Sequence, residues 1–190
     1  MANIGDHLRQ LRDLVIAVFS AFKKRNSRRL RKLNDDILSA AAIDFSAPYF
    51  NLAIYSYVLS KITSKPRFMR RESEGRLIEI ENSLSELIDM IGRSDESAIL
   101  EVFKKTKLSI ERLEENDVRF IIDLVTKGKL KTAATLYAQG MSLGVSSELT
   151  GMEKQEIMDY AGETMMFDRL KDEKSINDRM KNARRLIEWE

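Results

Sequence analysis

The segment over residues 49–62 constrains the fold most, because it is apolar on every side of a helix. It reads YFNLAIYSYVLSKI and follows Ser46-Ala47-Pro48, where a serine that can cap a helix precedes a proline of the first turn. A helix without a polar face is typical of the buried centre of a bundle. Lys65-Pro66 ends the segment. The sequence therefore predicts a central helix that other helices surround.

Amphipathic helices are predicted on both sides of this central segment. Helices are predicted over 4–24, 27–43, 67–93 and 94–115, where apolar residues recur at intervals of three and four, in the third segment from Leu77 to Ile91. A shorter helix is expected over 118–126, with Gly128 as its end. Only two prolines and eight glycines interrupt the chain, and no alternating strand pattern is present. The sequence predicts an all-α fold with an antiparallel helical bundle over residues 1–115.

The stretch over residues 130–162 has the pattern of a helix-turn-helix. Ser142 can cap a short helix, Gly151 permits the positive φ of a tight turn, and Met152 follows it at once. Apolar residues then recur at helical spacing, at Ile157 and Tyr160. A terminal helix is expected beyond, with Ile176, Met180, Ala183 and Ile187 facing inward. We therefore assign residues 116–190 to a helix-turn-helix region with a C-terminal helix.

This stretch resembles the helix-turn-helix of small, uncharacterised antitoxin-like proteins of archaea and bacteria. The residues that carry the resemblance are Ala133, Leu136, Tyr137, Gly140, Ser142, Gly144, Glu148, Leu149, Gly151 and Glu156. It covers residues 132–160 of the 190. Ser146 and Ser147 replace the pair of alanines that is usual there, and Thr150 replaces a common leucine. The resemblance implies a prokaryotic DNA-binding transcriptional regulator or antitoxin.

Positive charge is concentrated in the first 76 residues. They carry 15 Lys and Arg against 7 Asp and Glu, whereas residues 77–190 carry 17 against 23. The first cluster, between the first two helices, comprises Lys23, Lys24, Arg25, Arg28, Arg29, Arg31 and Lys32. The second, after the central helix, comprises Lys61, Lys65, Arg67, Arg70, Arg71 and Arg76. Helices of alternating direction would bring both to one pole, which would bind a phosphate backbone or an acidic protein surface. Scattered solvated charge explains the pattern equally well.

The second helix of the motif carries charges that disfavour DNA. Its first exposed positions are Glu153, Lys154, Gln155 and Glu156, followed by Asp159. Residues 152–163 hold four acids and one base, a net charge of −3, and a duplex carries one negative charge per roughly 1.7 Å. We therefore expect this motif to contact protein. DNA reading stays open if Lys154 and Gln155 reach bases while the backbone is held by Lys127, Lys129 and Lys131.

The sequence gives no sign of catalysis. The single histidine, His7, has no second histidine as a metal partner, and there is no cysteine. Ser46 and Ser142 lack the neighbours that a nucleophilic serine needs. Most carboxylates fall on outer helical faces, where solvated charge is the usual role. We expect no enzymatic activity, no metal and no cofactor.

The expected role is that of a cytoplasmic adaptor or regulator. The lack of cysteine suits a reducing compartment, and the apolar run over residues 14–19 is too short for a signal peptide or a membrane span. A protein partner is expected, while nucleic acid and a homodimer stay open. Met165, Met166 and Phe167 suggest a partner surface, although packing in the core is the more common role of such residues.

Overall fold

The computed structural model describes residues 4–44, 46–91, 93, 96–114 and 123–169. Every regular element in these ranges is a helix, which confirms the predicted all-α fold class. None of the helices in them is long and apolar enough to cross a membrane. The terminal helix expected around residues 176–187 lies outside the described residues.

Nine α-helices are present in the described residues. In chain order they are α1 (Ile4–Lys23), α2 (Ser27–Asp44), α3 (Ala47–Ser64), α4 (Glu74–Met90), α5 (Glu96–Glu114), α6 (Leu124–Ala138), α7 (Leu143–Thr150), α8 (Lys154–Glu163) and α9 (Met166–Arg169). Two 3₁₀ turns, Pro66–Met69 and Arg71–Ser73, lie between α3 and α4.

These two turns correct the prediction of one long helix over residues 67–93. The backbone is extended at Lys65, as expected before a proline, and extended again at Arg70. The chain therefore makes two separate turns before α4 begins. The apolar rhythm that predicted the helix starts only at Leu77, so it gave no information about the residues before it.

Helix α3 forms the buried centre that its composition predicted. Its buried residues lie on all sides of the helix: Pro48, Tyr49, Phe50, Leu52, Ala53, Ile54, Tyr55, Ser56, Val58, Leu59, Ser60 and Ile62. Helix α2 packs on it most extensively, and α1, α5 and α6 also contact it. The ring of Tyr55 stacks on Phe103 of α5 with a centroid distance of 5.6 Å. The apolar segment therefore organises the packing of its neighbours.

Gly128 lies inside helix α6, so its predicted role as a helix end is wrong. A Cβ atom at this position would lie 2.9 Å from Cγ2 of Val58 and 3.2 Å from Cγ2 of Ile54. The lack of a side chain therefore lets α6 approach α3 closely. Glycine at a helix–helix crossing and glycine at a helix end look alike in sequence, and here the tertiary contact decides.

Helix α6 is shared by the two clusters of buried apolar residues. The larger cluster surrounds α3 and includes Leu124, Val125 and Leu136 of α6. The smaller one comprises Leu130, Ala133, Ala134, Met152, Ile157, Ala161 and Met166. Because α6 packs on both sides, it joins α7 and α8 to the helices around α3. The proposed division at residue 115 stays a prediction, since residues 115–122 lie outside the described ones.

Candidate macromolecular contact surfaces

The turn between α1 and α2 displays the first cluster of basic residues. Arg25, two residues after the end of α1, adopts the left-handed region at φ 53°. The Arg25 amide donates to the Phe22 carbonyl at 2.8 Å, and the Asn26 amide donates to the Ala21 carbonyl at 2.9 Å. The Asn26 side-chain oxygen then accepts from the Arg29 amide at 2.9 Å and caps α2. Local hydrogen bonds thus define the course of the turn.

Arg25 differs from the other basic residues of the cluster because its guanidinium faces inward. It forms an ion pair with Glu81 of α4 at 2.9 Å and lies 4.9 Å from the centre of the Phe22 ring. A non-glycine residue in this conformation costs about 1–2 kcal/mol. These contacts offset that cost, so Arg25 anchors the turn, and its role in binding an anion stays a prediction.

The remaining members of the cluster form what we call the basic surface. It consists of the exposed residues Lys23, Lys24, Arg28, Arg29, Arg31 and Lys32. Within the described part of the chain, none of these six side chains forms an ion pair. A groove of about 260 Å³ opens at its edge and is lined by Ala17, Ser20, Ala21, Lys24, Asn26 and Arg29. This surface has the charge that an anionic macromolecule would bind.

The second basic cluster is divided between exposed and half-buried positions. Arg70 and Arg71 are exposed, whereas Lys65 and Arg67 are half-buried. The guanidinium of Arg67 lies 4.6 Å from the centre of the Phe68 ring. Helices α2 and α3 are packed neighbours joined by a short connection, which brings the start of α2 and the end of α3 to the same end. The merging of the two clusters into one pole stays a prediction.

Ser142 and Gly151 have the roles that their positions predicted. The Ser142 hydroxyl accepts from the Val145 amide at 3.2 Å and caps α7. Gly151 ends α7 in the left-handed region at φ 65°. The Ser147 hydroxyl donates to the Met152 carbonyl at 2.7 Å. These bonds determine how the chain passes from α7 into α8.

The first turn of α8 is acidic partly for a local structural reason. Glu156 accepts the Glu153 amide at 3.3 Å and so satisfies a free donor at the start of the helix. Carboxylates at this end also interact favourably with the helix dipole. Gln155 donates to Asp159 at 2.8 Å, so the Gln155 amide is engaged within α8. Lys154 is exposed and is the remaining candidate for base contacts on this helix.

The three lysines of α6 do not form one exposed set. Lys127 and Lys129 are half-buried. Lys131 turns toward α2 and α3: its ammonium donates to the Asn34 side-chain oxygen at 3.0 Å and lies 4.8 Å from the centre of the Tyr57 ring. Burial lowers the pKa of Lys131. The structure therefore places Lys131 in a packed junction between α2, α3 and α6.

This junction is a polar cluster that the sequence reasoning missed. The buried Asn34 amide donates to the Ala53 carbonyl at 2.7 Å and to the Ser56 hydroxyl at 3.0 Å. Burial and the neighbouring Tyr160 raise the pKa of Tyr57 to about 12, so its hydroxyl stays neutral. The cluster links α2, α3, α6 and α8. Its signal in the sequence was Asn34, a polar residue on the apolar face of α2.

The methionine-rich segment after α8 is divided between core and surface. Met166 is buried at 6% exposure, whereas Met165 is 66% exposed and Phe167 is 52% exposed. Phe167 meets the Tyr137 ring edge-on at 5.4 Å. Met158 of α8 is also exposed. Large apolar side chains in solvent are characteristic of contact surfaces when they occur together.

The described residues offer no metal site, and the comparisons add no identity. No group of three or more His, Cys, Asp or Glu side chains among these residues could hold a metal ion. Comparisons with protein-family models, with curated proteins and with solved structures found no match. The resemblance of residues 132–160 to antitoxin-like proteins therefore stays an interpretation of the motif.

Proposed function

We propose that this protein is a non-catalytic cytoplasmic regulator or adaptor that acts through two macromolecular contact surfaces. The basic surface at the α1–α2 turn would bind an anionic macromolecule. Helices α7 and α8 with the Gly151 turn would form a helix-turn-helix whose exposed face contacts protein. In this proposal an N-terminal bundle carries the first surface and the C-terminal region carries the second.

The observation that supports this proposal best is the contrast between two groups of cations. On α5, Lys104, Lys105, Lys107 and Arg112 each lie within ion-pair distance of a glutamate. On the basic surface, six cations lack such a partner within the described chain. Like charges held together repel one another. An anionic partner would therefore stabilise the basic surface more than it would stabilise the cations of α5, which already have glutamate partners.

The proposal of a protein contact for the helix-turn-helix depends on the exposed side chains of α8. Glu153, Glu156 and Asp159 surround the single base Lys154, and this arrangement repels a phosphate backbone. Met158 adds an exposed apolar side chain. Methionine is enriched in protein interfaces, which have an apolar centre and a polar rim.

The first experiment removes charge from the basic surface. We expect the triple variant R28Q/R29Q/R31Q to lose most of its affinity for a short DNA duplex. The slope of log affinity against log salt concentration should fall by about 3, because three phosphate contacts are lost. Fluorescence anisotropy of a labelled duplex over a salt series measures this slope.

The matched control is K104Q/K107Q/R112Q, which removes the same charge from α5. It should bind the duplex almost as the unmodified protein does. Equal losses in both triple variants would refute a specific basic surface. If the unmodified protein binds neither a duplex nor polyglutamate at low salt, the proposed anionic partner is wrong.

The alternative function is a DNA-reading transcriptional regulator or antitoxin. The cap at Ser142, the left-handed Gly151 and the exposed Lys154 support it, because they match the motif and leave one cation on the second helix. In that case K154A/Q155A abolishes discrimination between duplex sequences. Under the main proposal, K154A/Q155A leaves duplex affinity nearly unchanged.

A further inference from the structure

The segment from α8 to α9 exposes large apolar side chains that are close together in the sequence. The exposed fractions are 46% for Met158, 66% for Met165 and 52% for Phe167. The exposed carboxylates Glu153, Glu156, Asp159 and Glu163 lie in the same segment. Methionine and phenylalanine are enriched in protein interfaces, and the rim around them is polar. We call this set the acidic–apolar surface.

Met165 adds an independent observation about this surface. It adopts the left-handed region at φ 48° just after α8, a conformation that glycine adopts without cost and other residues do not. At Arg25, the same conformation is balanced by contacts with Glu81 and Phe22. The Met165 side chain is mostly in solvent and gives the fold little in return. The combination of a strained backbone and an exposed apolar side chain favours a contact outside the folded chain.

The same chain carries a surface of matching chemistry. The groove at the edge of the basic surface has Ala17 and Ala21 among its lining residues, next to Lys24 and Arg29. It therefore combines apolar and cationic side chains, whereas the acidic–apolar surface combines apolar side chains and carboxylates. We propose that the acidic–apolar surface of one copy docks on the basic surface of a second copy.

This contact joins two different surfaces. In a pair of copies, one therefore keeps its basic surface free and the other keeps its acidic–apolar surface free, and each free surface can bind a further neighbour. Such a head-to-tail interface produces a ring when its rotation closes and an open chain when it does not. The inference rests on the proposed function in one respect, since it uses the same basic surface and names a second copy as its acidic partner. It does not require that the protein bind nucleic acid.

The first test separates association from stability with Met165→Gly. This substitution removes the exposed side chain and relieves the left-handed backbone, so the melting temperature should stay unchanged or rise. Self-association, measured by sedimentation velocity at low salt over a concentration series, should weaken by about ten-fold or more. The control Leu108→Ala alters a side chain on α5 that is 53% exposed and should leave association unchanged.

The second test uses complementary charge reversals. D159K/E163K makes the acidic–apolar surface basic, and K24E/R29E makes the basic surface acidic. Each variant alone should be monomeric, and an equimolar mixture should associate again. The control mixture replaces K24E/R29E with K104E/K107E, which reverses the same charge on α5, and should stay monomeric.

Several results would overturn the inference. They are a strictly monomeric unmodified protein at all concentrations and low salt, unaltered association of Met165→Gly, and a charge-reversed mixture that stays monomeric. Duplex binding is measured on the same samples. If association fails while R28Q/R29Q/R31Q still shows its specific loss of duplex affinity, the inference is wrong and the proposed function stands.

Discussion

Ser146 and Ser147 are adjacent serines with different environments. The Ser146 hydroxyl is buried and has no hydrogen-bond partner in the described part of the chain. The Ser147 hydroxyl donates to the Met152 carbonyl at 2.7 Å, across the Gly151 turn. A buried hydroxyl without a partner destabilises the fold, whereas one that closes a turn stabilises it.

We therefore predict opposite effects for two alanine substitutions. Ser146→Ala should raise the free energy of unfolding by about 1 kcal/mol, because it removes a desolvated hydroxyl without leaving a large cavity. Ser147→Ala should lower it by about 1 kcal/mol, because the bond to Met152 is lost. Urea denaturation of both variants measures the difference. A lower stability for Ser146→Ala than for Ser147→Ala contradicts this account.

Residues with local roles were predictable from the sequence. Ser142 and Gly151 have the expected roles because a helix cap and a left-handed turn depend on a few neighbouring residues. Lys131 is a candidate for backbone contacts in the DNA-reading alternative, and the structure shows that its ammonium contacts Asn34, which lies far away in the sequence. Spacing alone cannot reveal such a partner. The apolar face of α2 with one asparagine in it was the only hint.

At the scale of the elements, the crossing of α6 over α3 depends on Gly128. A Cβ there would lie 2.9 Å from Cγ2 of Val58, 3.2 Å from Cγ2 of Ile54 and 3.3 Å from the Ile54 carbonyl oxygen. Gly75, in the first turn of α4, has nothing within 4 Å of the same position. Two helical glycines thus differ in whether a neighbouring helix occupies the space.

We predict that Gly128→Ala destabilises the protein and that Gly75→Ala stabilises it. The first forces α6 away from α3, at a cost of about 1–3 kcal/mol. The second reduces the freedom of the unfolded chain, for a gain of about 0.4–1 kcal/mol. Thermal or chemical denaturation measures both. A stabilising Gly128→Ala would show that the two helices are not in close contact.

Val58→Ala provides the control for this contact, since it removes the methyl group that the new Cβ would meet. The free energy of unfolding of the double variant G128A/V58A should be about 1 kcal/mol higher than the value obtained by adding the two single effects. Strict additivity would place the cause of the Gly128→Ala effect elsewhere.

The elements themselves were predictable where the apolar pattern was strong. The central helix α3 follows from an uninterrupted apolar segment, and α1, α2, α4 and α5 follow from their three-four rhythm. The 3₁₀ turns over residues 66–73 were missed because no such rhythm exists there. The extent of α6 was missed because Gly128 was interpreted as a helix end. The glycine is needed instead for the close contact between α6 and α3, and a tertiary contact of this kind has no local signal in the sequence.

At the scale of the whole molecule, opposite charge is separated between two surfaces. The basic surface lies on α1 and α2, and the acidic–apolar surface lies on α8 and α9. Helix α6 connects the helices that carry them, since it contributes to both apolar clusters. The charge difference between the halves was visible in the sequence. The side chains that stay exposed in each half were not, because exposure depends on which faces the packing leaves free.

The two proposals share the basic surface, and this leads to a prediction about competition. A duplex and a second copy cannot occupy the same cations at once, so each must weaken the binding of the other by the same factor. We expect a DNA duplex to reduce energy transfer between differently labelled copies of the protein.

We also expect Met165→Gly to bind the duplex more tightly than the unmodified protein at high protein concentration, because less of its basic surface is occupied. At concentrations too low for association, the two proteins should bind equally. Equal duplex affinity at every concentration would show that association leaves the basic surface free, and the second copy would then have to dock elsewhere.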